Sequence, residues 1–435
     1  MKKFLALILA LVMALSLVAC GEKKDDTKTE GGDTATGSVY YLNFKPESDD
    51  AWKALAATYT EKTGVPVKIL TAASGEYEST LVSEMDKEDA PTLFQCNEGG
   101  VATWGEFCYD LSSSDVYNQL ASKDYALKNA DGEVISIGYC LETYGIIVNK
   151  ALLKEAGYEV TDITNFESLK KVADDIHSRA AELGFDAFTS AGLDGTSAWR
   201  FSGHLANMPL FYEFRDEGVT SKPATIKGTY LDNYKAIWDL YITDSATTGA
   251  ALLTATGDQA EAEFGEGKAV FYQNGTWEYS NLTGEKFGMN ADDLTMIPIY
   301  CGIEGEEKAG LCTGTENYWS VNKNASEEDI KATLDFLNWV VTSDAGTTML
   351  AEQFGPCPFK SAKTPENIFF ADANNYIAEG NYVVTWAFNY SPAVDDWRAG
   401  VVDALTQYTV NGGSWDNVKT AFVDGWAAEA AAVNG

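Results

Sequence analysis

"VISIGYCLETYGIIVNK" (134–150) is the stretch on which the fold turns. It is a long, nearly unbroken apolar run of β-rich character. On its N-terminal side, strand and helix signals alternate. "SVYYLNF" (38–44) reads as a strand. Ser48 is placed to cap a helix in which Trp52, Leu55, Ala56 and Tyr59 recur at helical spacing until Gly64 stops it. "VPVKIL" (65–70) reads as a second strand, 76–87 as a second helix and "PTLFQC" (91–96) as a third strand. This alternation implies parallel pairing through crossover helices.

On its C-terminal side a second α/β region begins. Phe166, Leu169, Val172, Ala173 and Ile176 share one helix face that ends at Gly184, and Tyr230, Tyr234, Ile237 and Trp238 share another. "KAVFYQ" (268–273) is a strand that leads into "NGTW". In 317–346 a strand precedes a helix capped by Ser326, with Ile330, Leu334, Leu337 and Val341 on one face. Trp415, Val418, Phe422 and Trp426 align on a last helix. The expected fold is therefore α/β and two-lobed, with one β-rich crossing near 138–148, a return through 311–320, and a ligand cleft between the lobes. The expected segments are 38–145 and 313–360 in the first lobe, and 146–312 and 361–435 in the second.

Before these lies a different kind of sequence. Met1-Lys2-Lys3 and an apolar run from Phe4 to Val18 have the form of a signal peptide, too short to span a membrane comfortably. Leu17-Val18-Ala19-Cys20-Gly21 resembles a bacterial lipobox, which implies cleavage after residue 19 and a diacylglycerol on the Cys20 sulfur. A plain signal peptide with a chance cysteine is the alternative. Residues 20–37 then read as a solvated tether, because they hold no large apolar residue to offset ordering entropy. The address this gives is the extracellular face of a bacterial, Gram-positive membrane.

Charge and cysteine content narrow the function. The net charge of −34 argues against nucleic acid as a partner. After Cys20 come Cys96, Cys108, Cys140, Cys301, Cys312 and Cys357, with no C-x-x-C and no Cys/His cluster, so neither a metal nor a cofactor is expected. Cys96/Cys108 and Cys301/Cys312 are near enough in sequence to pair, and buried free thiols are the alternative. Only two histidines are present, His177 and His204, which limits histidine-assisted nucleophilic catalysis. His177 reads as a residue at the surface or core edge of a helix, and His204 stays open as a site residue.

Four stretches carry a resemblance: 138–153 ("GYCLETYGIIVNKALL"), 264–282 ("FGEGKAVFYQNGTWEYSNL"), 314–346, and 397–426 ("WRAGVVDALTQYTVNGGSWDNVKTAFVDGW"). Their order resembles the carbohydrate class of extracellular solute-binding proteins of ABC importers, the maltose-binding-protein-like family. The resemblance implies the periplasmic-binding-protein-like fold of type II with a multi-segment hinge. It implies stacking of sugar rings on Trp277 and Trp397, with an aromatic at Trp199 lining the cleft. It further implies polar contacts from Glu142 in the crossing, from Lys45 and Glu47 after the first strand, and from Asn97 and Glu98 after the third. Implied partners are a carbohydrate, membrane permease subunits and a separate ATPase, since this chain carries no phosphate loop. A monomer is expected.

The residues themselves favour a sugar. A pyranose has apolar C–H faces and a hydroxyl rim, which suit flat aromatic rings and charged or amide side chains respectively. Trp277 follows the Asn274-Gly275 turn signal at a strand end. Trp199 lies beside Arg200 and His204 in a Gly/Ser-rich stretch, with Arg200 able to fork two hydroxyls. Trp386 and Trp397 flank "AFNYSPAVDD". Trp52, Trp238, Trp339, Trp415 and Trp426 sit on apolar helix faces and are assigned to the core. Two rival readings remain at this stage. A membrane-anchored glycoside hydrolase needs two carboxylates about 5–9 Å apart. A binding protein of the same shape could instead take a peptide or another small solute.

Overall fold

A computed structural model describes residues 37–73 and 75–434. The expected signal peptide, Cys20 and nearly all of the tether lie outside the described residues.

The 134–150 run is two strands, not one. β5 (Val134–Gly138) and β6 (Glu142–Asn149) are buried throughout, and they belong to different sheets. The first sheet has the order β2-β1-β3-β11-β5-β4, with β1 (Val39–Asn43), β2 (Val67–Thr71), β3 (Leu93–Phe94), β4 (Ala126–Lys128) and β11 (Tyr318–Val321). β1 pairs in parallel with β2 and β3, as the strand–helix alternation requires, whereas β11 returns antiparallel to β3 and β5. The second sheet has the order β12-β10-β6-β8-β7, with β7 (Asp186–Phe188), β8 (Ala269–Gly275), β10 (Ala309–Gly314) and β12 (Tyr382–Thr385); β9 (Leu294–Ile297) also pairs with β6.

Each sheet carries its own core. Trp52, Tyr59, Trp319, Phe336 and Phe354 fill the first, and Phe166, Phe201, Trp238, Phe271, Trp397 and Trp426 the second. Among the described residues, three chain segments pass between them. Tyr139–Leu141 joins β5 to β6, and Thr315–Asn317 joins β10 to β11. A third runs from Phe359, packed in the first core, to the helix Ile368–Ala378, whose Phe369 packs with Ile147 of β6. The crossings are bonded to one another: Tyr139 N–H donates to Asn317 O at 3.0 Å and Leu141 N–H to Pro356 O at 2.8 Å. Backbone bonding thus holds the first two crossings side by side, with the approach to the third laid against the first.

Two of the expected helix-end signals are present and one is not. Ser326 Oγ accepts from Asp329 N–H and caps the helix Glu327–Thr342, and Gly64 ends the helix Asp49–Thr63 at φ 77°. Ser48 does not cap. Its hydroxyl donates to Lys45 O at 3.1 Å, because the tight loop around Pro46 turns it back toward the strand end. All six cysteines after Cys20 are free thiols, five of them buried.

Candidate functional site

The strand ends facing the gap between the two sheets carry the polar residues. Asn43, the last residue of β1, shapes the loop that follows: its amide donates to Lys45 O at 2.7 Å and its carbonyl accepts from Lys45 N–H at 3.1 Å. This local turn aims Lys45 inward, where Nζ meets Glu142 Oε1 at 2.8 Å and Glu47 Oε1 at 3.7 Å. Glu142, the first residue of β6, also accepts from Asn317 Nδ2 at 2.6 Å. Burial pulls the Lys45 ammonium toward its neutral form, but Glu142 and Glu47 outweigh it and hold its pKa above the usual lysine value. Burial raises the Glu47 carboxyl, and Lys45 opposes the rise.

From the other half of the molecule comes an aromatic slab. Trp277 is half-buried, and its ring lies 5.9 Å from that of Trp199 and 5.5 Å from that of His204. His204 stacks on Tyr144 at 3.7 Å with 9° between the planes, and Tyr144 lies 5.4 Å from Trp386. Lys45 Nζ stands 5.0 Å from the centre of the Trp277 ring, so a cation of one half sits over an indole of the other. The indole folds back over Gly275; a Cβ there would lie 2.3 Å from the ring, so the Asn-Gly turn permits this pose.

His204 belongs to a π-helical turn, Arg200–Leu205, ahead of the helix Ala206–Glu217. Pro209 within that helix has no N–H for the Leu205 carbonyl, which accounts for the wide turn before it. Burial, with Arg398 and Arg200 nearby, holds His204 well below its usual pKa. The neutral ring accepts Gln273 Nε2–H at Nδ1, 2.9 Å away, and keeps its proton on Nε2. Across the rim, Lys222 Nζ donates to Glu98 O at 3.0 Å, and a Cβ on Gly99 would lie 3.1 Å from Val394 Cγ1. The two halves thus also touch through Glu98 and Gly99 of the first and Lys222 and Val394 of the second.

Comparison with known proteins bears on this arrangement. A family model described as "Bacterial extracellular solute-binding protein" matches residues 54–373. The chain is a member of the bacterial extracellular solute-binding proteins. Its similarity extends to the maltodextrin-binding protein MdxE of Bacillus subtilis, 22% identical over 345 residues, covering 76% of this chain and 75% of the relative. It extends also to a maltooligosaccharide ABC transporter solute-binding lipoprotein of Streptococcus pneumoniae, 23% identical over 361 residues, covering 79% and 77%. Among solved structures, that of the solute-binding protein RafE in complex with raffinose superposes with a TM-score of 0.71 at 17% identity, covering 91% of this chain and 100% of the other. The fold is that of the two-lobed periplasmic-binding-protein-like solute-binding proteins, as the segment order implied.

The residues read from the sequence divide sharply in this solute-binding protein. Trp277, Trp199, His204, Lys45, Glu47 and Glu142 come together as described, and Trp386 backs the slab behind Tyr144. Asn97 and Glu98 lie at the rim, where Asn97 Oδ1 accepts from Gly100 N–H at 3.0 Å and burial raises the Glu98 carboxyl. Three residues stand elsewhere. Trp397 is 1% exposed, packs edge-on against Phe422 and Trp426, and donates Nε1–H to Phe422 O at 2.9 Å; it is core because it shares a helix stripe with Val401 and Leu405. Arg200 is also 1% exposed and spends its guanidinium on Ser197 Oγ, Ser190 O and Gln273 O, so it is a rivet between loop and sheet. Asn274 braces the turn through Tyr272 OH and Glu278 Oε1.

Sequence reading missed Tyr144, Glu278, Glu316 and Arg398. Tyr144 was within reach, since it shares a strand face with Glu142 two residues earlier. Arg398 was within reach too, being one position off the Trp397 stripe. Glu278 carried no signal, because its burial comes from elements distant in sequence.

Proposed function

We propose that this chain captures an oligosaccharide between its lobes and delivers it unchanged to the permease of an ABC importer, from a lipid anchor on Cys20 at the extracellular face of the membrane. The aromatic slab around Trp277, facing the Lys45–Glu142 pair from the other half, carries the reading. Flat rings suit sugar faces, and fixed charged groups suit hydroxyl rims. The relatives support the class: their names specify maltodextrin and maltooligosaccharide, and the structural neighbour holds raffinose. One relative is named a lipoprotein, which supports the anchor. Ring stacking occurs on Trp277 and Trp199, polar contacts come from Lys45, Glu47, Glu142, Asn97 and Glu98, and closure brings the lobes together on the ligand. The protein acts as a monomer, and a separate ATPase drives release.

Calorimetric titration with maltotriose, raffinose, stachyose and chitotriose tests this. At least one binds, and Trp277→Ala weakens it by about 10-fold or more, from about 0.5–1.5 kcal/mol for the stacked ring plus the apolar area it covers. A panel in which no sugar binds but a peptide or amino acid does would overturn the proposal. New reducing ends on incubation would make the protein a hydrolase.

A further inference from the structure

The helix Val394–Asn411 was expected to give the cleft its Trp397, and that indole is sealed in the core. The next residue points the other way. Arg398 keeps its side chain 16% exposed and sits in a narrow slot. Its guanidinium carbon stands 4.5 Å from the centre of the Phe388 ring. On the π-helical turn beside His204, a Cβ at Gly203 would lie 3.2–3.5 Å from Nη2, Cζ and Nε, so a bare glycine backbone accommodates the guanidinium. The group is held in place by shape more than by hydrogen bonds. Nη2 meets Glu316 Oε1 at a long 3.3 Å, Nη1 faces Asp395 Oδ1 at 4.0 Å, and Nε is buried without an acceptor among the described residues. Five donors in a rigid fork are thus served by one weak contact. Glu316 lies in the return crossing next to Asn317, the residue bonded to Glu142. The Arg398–Glu316 pair therefore adjoins the slab on one side and the Lys45–Glu142 pair on the other.

We infer that Arg398, with Glu316 as its accepting partner, is a ligand-contacting and specificity-determining residue: its guanidinium donates to hydroxyls of the bound sugar at the position where an indole was expected from this helix. The inference rests on the sugar-binding reading above. It favours neutral sugars, because Glu316 and Asp395 already flank the guanidinium and repel a carboxylated ring. Loss of a charge-assisted fork leaves buried hydroxyls unpaired, an effect on the order of 30–100-fold in affinity.

The experiment titrates the parent protein and the variants Arg398→Ala, Arg398→Lys, Gly203→Ala and Trp277→Ala with maltotriose and raffinose, and measures the unliganded melting temperature of each. The inference expects Arg398→Ala to weaken the better-bound sugar by about 30–100-fold with unliganded melting nearly unchanged, Arg398→Lys to recover only part, and Gly203→Ala to weaken binding several-fold by shifting the guanidinium. Parent-like affinity in Arg398→Ala alongside a weakened Trp277→Ala overturns the inference and leaves the function standing. A fall in unliganded melting that accounts for the loss makes Arg398 a structural pair, and also overturns it. Should Arg398→Ala fail to fold, Gly203→Ala decides, and unchanged affinity there is the overturning result. If the parent binds neither these nor the other sugars, the functional reading fails and takes the inference with it.

Discussion

Glu278 follows Trp277 in the chain and gives the sharpest test of the electrostatics around it. Its side chain is buried, Oε1 accepts from Asn274 Nδ2 at 2.9 Å, and Oε2 has no partner among the described residues. The groups around it come from several elements: Glu261 on the helix Gly257–Gly265, itself paired with Lys286; Glu47 from the loop after β1; and Arg200 and Asn281. Burial first, then Glu261 and Glu47, push its carboxyl up to about 8 against the lowering pull of Asn281 and Arg200. The sign follows. Below about 4.5 both folded and unfolded chains are protonated, and the stabilising contribution is complete. Above that the unfolded chain ionises and the folded one does not, so the contribution is lost as pH rises, until the folded group ionises near 8. A shift of this size corresponds to at most about 5 kcal/mol, or about 1.4 kcal/mol per pH unit across the window. Glu278→Gln keeps the acceptor for Asn274 and abolishes the titration. Its new amide N–H₂ lacks an acceptor, which costs about 1–3 kcal/mol at every pH. The variant should be less stable than the parent at pH 5 and more stable at pH 8.5, by roughly 2–4 kcal/mol at the upper end. Guanidinium unfolding followed by tryptophan fluorescence at pH 5, 7 and 8.5 measures this. Parallel stability–pH curves for the two proteins would refute the argument.

Three further outcomes follow from buried groups. Lys45→Met leaves the Glu142 carboxylate with Asn317 alone, and should cost about 3–5 kcal/mol by chemical unfolding, while adding Glu142→Gln returns most of it; equal losses in single and double variants would refute the pairing. Arg200→Met strands the Ser190 and Gln273 carbonyls and should lower stability by about 3–5 kcal/mol, so a variant melting with the parent would contradict its role as a rivet. Iodoacetamide should label the half-buried Cys357 slowly in the native protein and all six thiols after denaturation, and recovery of a Cys96–Cys108 or Cys301–Cys312 linked peptide would contradict the free-thiol state.

How much of this was legible follows from the range of each interaction. The α/β class, the Ser326 cap and the Gly64 stop were readable, because propensity and capping act within a few residues. The break at Tyr139–Leu141 was not, since these residues are as apolar as the strands they separate; what divides them is pairing with β11 on one side and β10 on the other. Of the residues that the structure gathers around Lys45, Trp277 was marked by its turn, and Glu142 by its place in the crossing. Arg200 and Trp397 misled for opposite reasons. A buried arginine in a polar loop has the same local sequence as an exposed one. The Trp397, Val401, Leu405 stripe, by contrast, was in plain view, but the family resemblance drew attention to the indole over the helical period that buries it.

The placement of these residues separates what moves from what stays fixed in the proposed capture. Glu142 and Asn317 lie at the ends of two crossings that are bonded to each other through Tyr139 and Asn317. Rotation of the lobes about those crossings leaves them nearly still, because displacement grows with distance from the axis. Lys45 rides with the first sheet and Trp277 with the second, so the 5.0 Å between the ammonium and the indole is the distance that opening must lengthen. The Lys45–Glu142 contact at 2.8 Å, short and close to the crossings, survives the same rotation. A sugar lying on Trp277 therefore meets polar partners already positioned by the crossings. The remaining contact, the Lys45 ammonium over the Trp277 ring, forms only as the lobes approach. Binding energy is in this way divided between a preset floor and a closing wall, which is the division that lets occupancy shift the population toward the closed form.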